Sequence, residues 1–310
     1  MSHATAERPA LRIAFSNAAN AVVDAGVPVL AGEETEKLFA AAQPAGRGGA
    51  FALFRSGPWL LGAATVPVAD GLEQLSRQLY LDLFAATEGL HLARIWNYVP
   101  AINEIGPGGL ENYRAFCQGR SLAFEGRHGA TFKSIVPSAS AVGCKAPTLT
   151  VVFAASAITP RNVENPLQVP AYDYPREYGP RAPSFARASI VSHDQTATVF
   201  ISGTAAIRGH ATVAPDGIGG QLTCALENLG EISRACGLST NLGRGGGARR
   251  HFKIYVRRAE DLPLVVATLD AQLLERGDQV VYLLADICRR PLLVEIEATL
   301  FDVPGLARAK

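Results

Sequence analysis

Two stretches of the chain, CKAPTLTVVFA (residues 144–154) and CRRPLLVEIEA (residues 288–298), carry cysteine, a basic residue and proline at the same offsets. Each closes a region with the same order of elements. In the later region TVFISGTAAI reads as a strand ending in a glycine turn. GGQLTCALENLGEISRACG is helical, because Leu222, Leu226, Leu229 and Ile232 recur at spacings of three and four and Gly237 stands where a helix stops. HFKIYVRR is a strand, EDLPLVVATLDAQLLERG a second helix closed by Gly277, and QVVYLLADICR and PLLVEIEATL are further strands. The earlier region runs through PWLLGAATV, GLEQLSRQLYLDLFAATEG, HLARIWNYV, GLENYRAFCQG, TFKSIVPSASAVG and PTLTVVFAAS in parallel. This is a duplicated β-β-α-β-α-β unit. It predicts an α+β fold of two tandem halves, each a mixed sheet with helices packed on one face.

The expected organisation is an N-terminal segment (1–45) with few anchors and partly mobile, and a first half over 46–156. A connector follows over 157–187, then a second half over 188–310 that carries most of the functional site. The connector holds prolines at 160, 166, 170, 175, 180 and 183 across its start and length, which excludes a central strand or a helix interior. Within it Tyr172, Tyr174, Tyr178 and Phe185 alternate with Arg176, Arg181 and Arg187. It reads either as an ordered strap packed across a surface or as the wall of a pocket between the halves, with tyrosine hydroxyls and arginines facing an anion.

In PLLVEIEATL, Glu295 and Glu297 point to one side of a strand and Val294, Ile296 and Ala298 to the other. A wet face explains this most simply. The internal match aligns Glu295 with Val151 and Glu297 with Phe153, so the equivalent place in the first half is apolar. A carboxyl in a partly dry setting has a raised pKa and can act as an acid near neutral pH. Symmetry alone does not choose between the two glutamates. Arg120 alone reads as a helix-end cation, Cys288 as a small buried hydrophobe and Gly203 as a bulge or close-approach glycine.

With 310 residues, 48% of them hydrophobic, and a net charge of +1, the chain can bury a large core, and bulk charge favours neither nucleic acid nor a membrane surface. It lacks a run of eighteen apolar residues, and MSHATAERPALRIAF lacks the marks of a signal peptide. Five scattered cysteines without a CxxC pair fit reduced thiols and a cytoplasmic location. Six scattered histidines give no metal spacing. NLGRGGGARRH reads as a flexible loop with solvated charge, since no strand–loop–lysine pattern marks a phosphate cradle.

The second half, from FISGTAAI through CALENLGEISRACG and KIYVRRAEDL to VEIEA, resembles the small RidA/YjgF-type domain, whose members form trimers with pockets between subunits. HLARIWNYVPAIN, NYRAFCQGRSLAF, YDYPREYGPRAPSFARA, FISGTA and ADICRRPLLVEIEA together resemble the chorismatase family, which is built on that scaffold and removes the enolpyruvyl side chain of chorismate as pyruvate. The resemblance implies that Glu295 protonates the enolpyruvyl group and that Tyr113 and Arg120 hold the carboxylate end. It also implies substrate contacts for Tyr172 and Arg257. Gly203 and Cys288 match the branches that form 3-hydroxybenzoate, alone or mixed with 4-hydroxybenzoate; a third branch hydrolyses chorismate to a dihydroxycyclohexadiene carboxylate. Cys288 would then manage ring protonation or a transient arene oxide. No cofactor or metal is implied, and a monomer or a homotrimer is expected. The alternatives are the hydrolytic branch, a RidA-like imine or enamine hydrolase, and a non-catalytic small-molecule sensor using the same pocket.

Overall fold

The computed structural model describes residues 8–15, 22–39, 42–69, 71–193, 195–213 and 217–306. Three strands lead: β1 (Ala10–Ala14), β2 (Val22–Gly32) and β3 (Thr35–Glu36). The first half comprises β4 (Gln43–Gly48), β5 (Phe51–Ser56), β6 (Trp59–Pro67), α1 (Leu72–Ala86), β7 (His91–Pro100), α2 (Asn112–His128), β8 (Ser138–Cys144) and β9 (Thr148–Ser156). The connector adds β10 (Arg161–Val163) and two single 3-10 turns, Ala171–Asp173 and Arg176–Tyr178. The second half comprises β11 (Ala188–Ser192), β12 (Thr196–Thr204), the small hairpin β13 (Ile207–Arg208) and β14 (Ala211–Thr212), α3 (Ile218–Ala235), β15 (Arg249–Val256), α4 (Leu262–Gln272), β16 (Gln279–Leu284) and β17 (Val294–Pro304).

One sheet has the order β4-β5-β6-β9-β7-β8 and the other β10-β11-β12-β17-β15-β16-β2-β1-β3. Within them β5-β6-β9-β7-β8 and β11-β12-β17-β15-β16 are the same arrangement. Each has one parallel pair, β7 with β8 and β15 with β16, formed where a helix carries the chain across. Each half is thus the expected unit with one more strand closing it. α1 and α2 cover one face of the first sheet and α3 and α4 one face of the second. α3 does so with Leu222, Leu229 and Ile232, which read directly as its buried stripe. The uncovered faces meet each other over a third apolar cluster that includes Trp96, Val152, Phe200 and Tyr255. Among the described residues no helix is long and apolar enough to cross a membrane.

The N-terminal segment, expected to have few anchors, is built into the molecule wherever it is described. β1 buries Leu11 and Ile13 and exposes Arg12; β2 buries Ala25, Val27 and Val29 in alternation. β2 pairs with β16 and β1 with β2, extending the second sheet. Ile13, Phe15, Leu38 and Phe39 lie against Leu61, Trp96 and Val152 between the two sheets. Residues 1–7, 16–21 and 40–41 of that segment lie outside the described residues.

Strand pairing also corrects the internal alignment by one residue. Tyr255 of β15 pairs with Glu295, and Trp96, which follows the same basic-isoleucine pair in β7, pairs with Val152. Val151 and Phe153 face the helices, whereas Val152 and Ala154 face the other sheet. Glu295 and Glu297 therefore correspond to Val152 and Ala154, because the run from Pro291 to Glu295 is one residue shorter than that from Pro147 to Val152. The equivalent place in the first half is apolar under either alignment.

Candidate active site

A cavity of about 360 Å³ opens between the halves. Tyr113, Arg114 and Arg120 line it from α2, Ser140 from β8, and Tyr174, Tyr178, Phe185 and Arg187 from the connector. The second half contributes Gly203 from β12, the loop Cys288 to Pro291, and Glu295 from β17. Edge strand β8 is held to the second half by two serines: Ser189 Oγ accepts from the Ser138 amide at 2.8 Å and Ser202 Oγ from the Ala139 amide at 2.9 Å. Those bonds satisfy an edge that would otherwise be an open row of donors.

Glu295 lies at the inner end of the cavity and is 4% exposed. Burial, then the neighbouring charge of Glu297, push its carboxyl up to about 8 against the opposing pull of Arg94 and Arg187. It is therefore a neutral acid at pH 7. Glu297, two residues on, has the opposite character. Burial would raise it, but Lys253 and Arg94 outweigh that and hold it below the ordinary carboxylate value. Its Oε2 accepts from Arg94 Nη2 at 2.8 Å; its Oε1 accepts from Trp96 Nε1 at 2.8 Å and lies 3.1 Å from Lys253 Nζ. Glu36 of β3 completes the group at 2.8 Å from Lys253 Nζ. This environment separates the two glutamates that symmetry left equivalent. One faces the cavity as an acid, and the other anchors the two sheets as an anion.

A local irregularity between Ile201 and Thr204 sets β12 against β17 so that Gly203 faces Glu295. A Cβ on Gly203 would overlap the Glu295 carboxyl, so only glycine leaves that carboxyl in its present place. In α2, Tyr113 and Arg120 stand two turns apart on one face. Gly119 lets α2 approach α1 closely, since a Cβ there would overlap the Glu73 carbonyl oxygen and Ser76 Oγ. Arg120 is consequently inside the helix pair rather than at a helix end, with its guanidinium 5.1 Å from the Phe116 ring centre. Among the described residues no carboxylate lies within 4 Å of it, and its Nε has no hydrogen-bond partner. Its guanidinium lies near the Tyr80 ring, and a buried guanidinium without a carboxylate partner at a cavity wall has the chemistry to hold an anion.

Arg187 and Arg289 add to that charge. Arg187 Nη2 donates to the Tyr174 hydroxyl at 2.7 Å, and Arg289 lies 3.9 Å from the Tyr178 ring centre while donating to the His210 carbonyl at 2.8 Å. Cys288 is partly open to the cavity. Burial, then Glu295, push its thiol up to about 12, so it is a neutral SH group. Burial, followed by Cys117 and Cys288, likewise keeps the Tyr113 phenol protonated.

Residues 38–155 match a family model described as "Chorismatase FkbO/Hyg5-like, N-terminal". A Streptomyces hygroscopicus protein named chorismatase is 38% identical over 254 residues, spanning 78% of this chain and 72% of that relative. The chain belongs to the chorismatase family. A 3-hydroxybenzoate synthase of Streptomyces hygroscopicus is 35% identical over 252 residues, 78% of this chain and 73% of its own. A chorismatase crystal structure, 29% identical, superimposes with a TM-score of 0.78 and covers 97% of this chain and 95% of its own. The resemblance to the chorismatase family read from the sequence is therefore shown, and with it the α+β fold.

Of the residues singled out in this chorismatase-family chain, Glu295, Cys288, Gly203, Tyr113 and Arg120 line one cavity. Tyr172 and Arg257 do not. Tyr172 packs against the first half's core, and its neighbours Tyr174 and Tyr178 face the cavity instead. Arg257 supports the loop that carries Cys288. It donates to the carbonyls of Leu292 (2.6 Å), Arg289 (3.1 Å) and Ile287 (3.2 Å), to Asn103 Oδ1 (3.0 Å), and pairs with Asp286. Arg187 was one of three connector arginines with nothing in the sequence to rank it above Arg176 or Arg181. Only its place just before β11 sends it inward.

Proposed function

We propose that this protein cleaves the enolpyruvyl ether of chorismate without a cofactor, giving pyruvate and 3-hydroxybenzoate, with some 4-hydroxybenzoate as a minor product. Its relationship to a chorismatase and to a 3-hydroxybenzoate synthase supports this reading. The observation that carries it is the neutral, buried Glu295 facing a cavity walled by Arg120 and Arg187. An enol ether breaks when its terminal CH₂ is protonated, which leaves an oxocarbenium ion at the adjacent carbon. A carboxylic acid within about 3 Å of that carbon is the donor the step requires. Two carboxylates on the substrate suit guanidinium groups, whose planar forks fix a carboxylate bidentately and so hold the reacting carbon in line.

Glu295 transfers its proton to the CH₂, which becomes the methyl group of pyruvate. In the benzoate route the neighbouring ring hydroxyl oxygen bonds to the carbon bearing the side chain as that carbon's C–O bond breaks. The hydroxyl proton restores the acid, and the resulting arene oxide opens at its other C–O bond and passes one ring hydrogen to oxygen, giving the aromatic 3-hydroxybenzoate. No net water is consumed. The hydrolytic route would instead take up one water and leave a non-aromatic diol. Cys288, as a neutral thiol beside the acid, is placed to hand a proton to or from the ring rather than to attack as a thiolate.

Purified protein incubated with chorismate alone, with products resolved by liquid chromatography and mass detection, tests this. Pyruvate with 3-hydroxybenzoate is expected. Pyruvate with the diol would move the chain to the hydrolytic branch, and chorismate recovered intact from folded protein would end the proposal.

A further inference from the structure

Glu164, just after β10, places its carboxylate head behind Arg187. Both of its oxygens are shielded from solvent, and the Arg187 amide and the Tyr172 hydroxyl approach them without completing a well-aligned hydrogen bond. The Nε of Arg187 is also buried and unpartnered, 3.9 Å from Glu164 Oε2. The far side of the same guanidinium is committed to the Tyr174 hydroxyl and, at 3.2 Å, to the Val169 carbonyl. A buried carboxylate in this position has two states. As an anion it draws on Arg187; as a neutral acid it leaves the full charge of Arg187 to the cavity.

We propose that Glu164 is a positioning residue acting through Arg187, and that its protonation tightens binding of a dianionic substrate in the cavity. This rests on the reading of that substrate as chorismate. An ionised Glu164 offsets the cation and repels the substrate carboxylate across a poorly screened interior; a neutral one does neither. The groups facing it are Arg187 ahead of β11, and Tyr172 and Asp173 from the turn Ala171–Asp173, with Asp173 itself paired to Lys133 at 2.6 Å. Tyr172 thus belongs to this group rather than to the cavity wall. Burial pushes Glu164 up to about 7 against the pull of Arg187, which places the change of state in the neutral range.

The test uses the Glu295→Gln protein, in which turnover of chorismate is expected to be about 10²- to 10⁴-fold slower. Chorismate is titrated into it by calorimetry between pH 6 and pH 8, in two buffers of different ionisation enthalpy. Affinity is expected to weaken about tenfold across that span, as linkage to one proton near pH 7 requires, with proton uptake on binding. Adding Glu164→Gln is expected to abolish both effects. His210, ionisable and hydrogen-bonded to Tyr178 at the cavity, stays in both proteins, so their difference isolates Glu164. An unchanged pH slope in the double variant overturns the inference. If that variant does not fold, His210→Asn in the Glu295→Gln protein decides: uptake that persists supports the inference and uptake that vanishes overturns it. Chorismate neither bound by the folded variant nor consumed by the wild type would overturn the functional reading and this inference together. Binding without pH dependence overturns the inference alone.

Discussion

The carboxyl of Glu295 occupies the space in which a side chain at Gly203 would have to begin. Replacing that glycine by alanine therefore moves the proposed acid directly, through one methyl group and no change of charge. Gly203→Ala is expected to lower 3-hydroxybenzoate formation by about tenfold to a hundredfold, the scale of a reacting group displaced by about 1 Å. Chromatographic quantitation of pyruvate and aromatic product checks it. Unchanged rates and product ratios would mean that the Glu295 carboxyl does not act from its present position.

The protonation state of Glu295 predicts the pH dependence of kcat. Its acid form works, its pKa is raised to about 8 in the free protein, and an anionic substrate raises it further, so kcat is level up to at least that value and falls about tenfold per unit above the pKa of the complex. Glu295→Gln, which keeps the shape and removes the proton, should lower kcat by about 10²- to 10⁴-fold. A kcat that keeps rising to pH 9 would point to a group acting as a base.

The same shift carries a stability cost. The folded protein holds the Glu295 proton more tightly than the unfolded chain, so stability declines as pH rises from the ordinary carboxylate value towards 8. Glu295→Gln is free of that decline. Above pH 8 it should be the more stable protein, by an amount on the order of a few kcal/mol. Urea unfolding of both proteins at pH 5 and pH 8.5 checks this, and a difference that does not grow with pH would contradict it.

Glu297 is held in the opposite sense. Its charge is matched by Arg94 and Lys253 between the sheets, so Glu297→Ala strands the buried Arg94, leaves Lys253 with Glu36 alone, and should cost about 3–5 kcal/mol. Because its folded pKa is depressed, its contribution is complete at neutral pH and is lost as pH falls through and below the ordinary carboxylate range. The wild type should lose the corresponding stability on acidification, and the variant should not. Denaturation midpoints at pH 7 and pH 3.5 measure both.

Cys288 lies at the cavity and is nonetheless a poor nucleophile. With its thiol pushed up to about 12, alkylation by iodoacetamide at pH 8 should be at least about a hundredfold slower than for a free thiol. Peptide mapping by mass spectrometry after timed exposure follows it. Rapid modification of Cys288 in the folded protein would show a thiolate there and a different role in the chemistry.

Much of this fold was legible because its helices declare themselves locally: the leucines of α3 recur at helical spacing and Gly237 ends it. Two carboxylates on one side of an apolar strand drew attention to Glu295 and Glu297 together, and only the family motif favoured Glu295. β1 and β2 were not legible, since a short alternating strand has no stability alone and β2 finds its partner in β16, some 250 residues later. Tyr172 came from the resemblance, and the short 3-10 turns on either side of Tyr174 have no period from which the sequence could show which tyrosine faces the cavity. Glu164 gave no signal at all. A single glutamate in a loop acquires meaning only from the arginine that the fold brings behind it.

The N-terminal strands settle what became of the other copy of the site. A duplicated half brings a duplicated crevice, and here Ile13, Phe15, Leu38 and Phe39 seal the one over Val152 with apolar side chains. The α2 of that half instead lends Tyr113 and Arg120 to the cavity between the halves. Among the described residues, both halves thus line one cavity. Under the proposed function the repeat becomes a division of labour, in which one copy would hold the proton and the other would hold the substrate still.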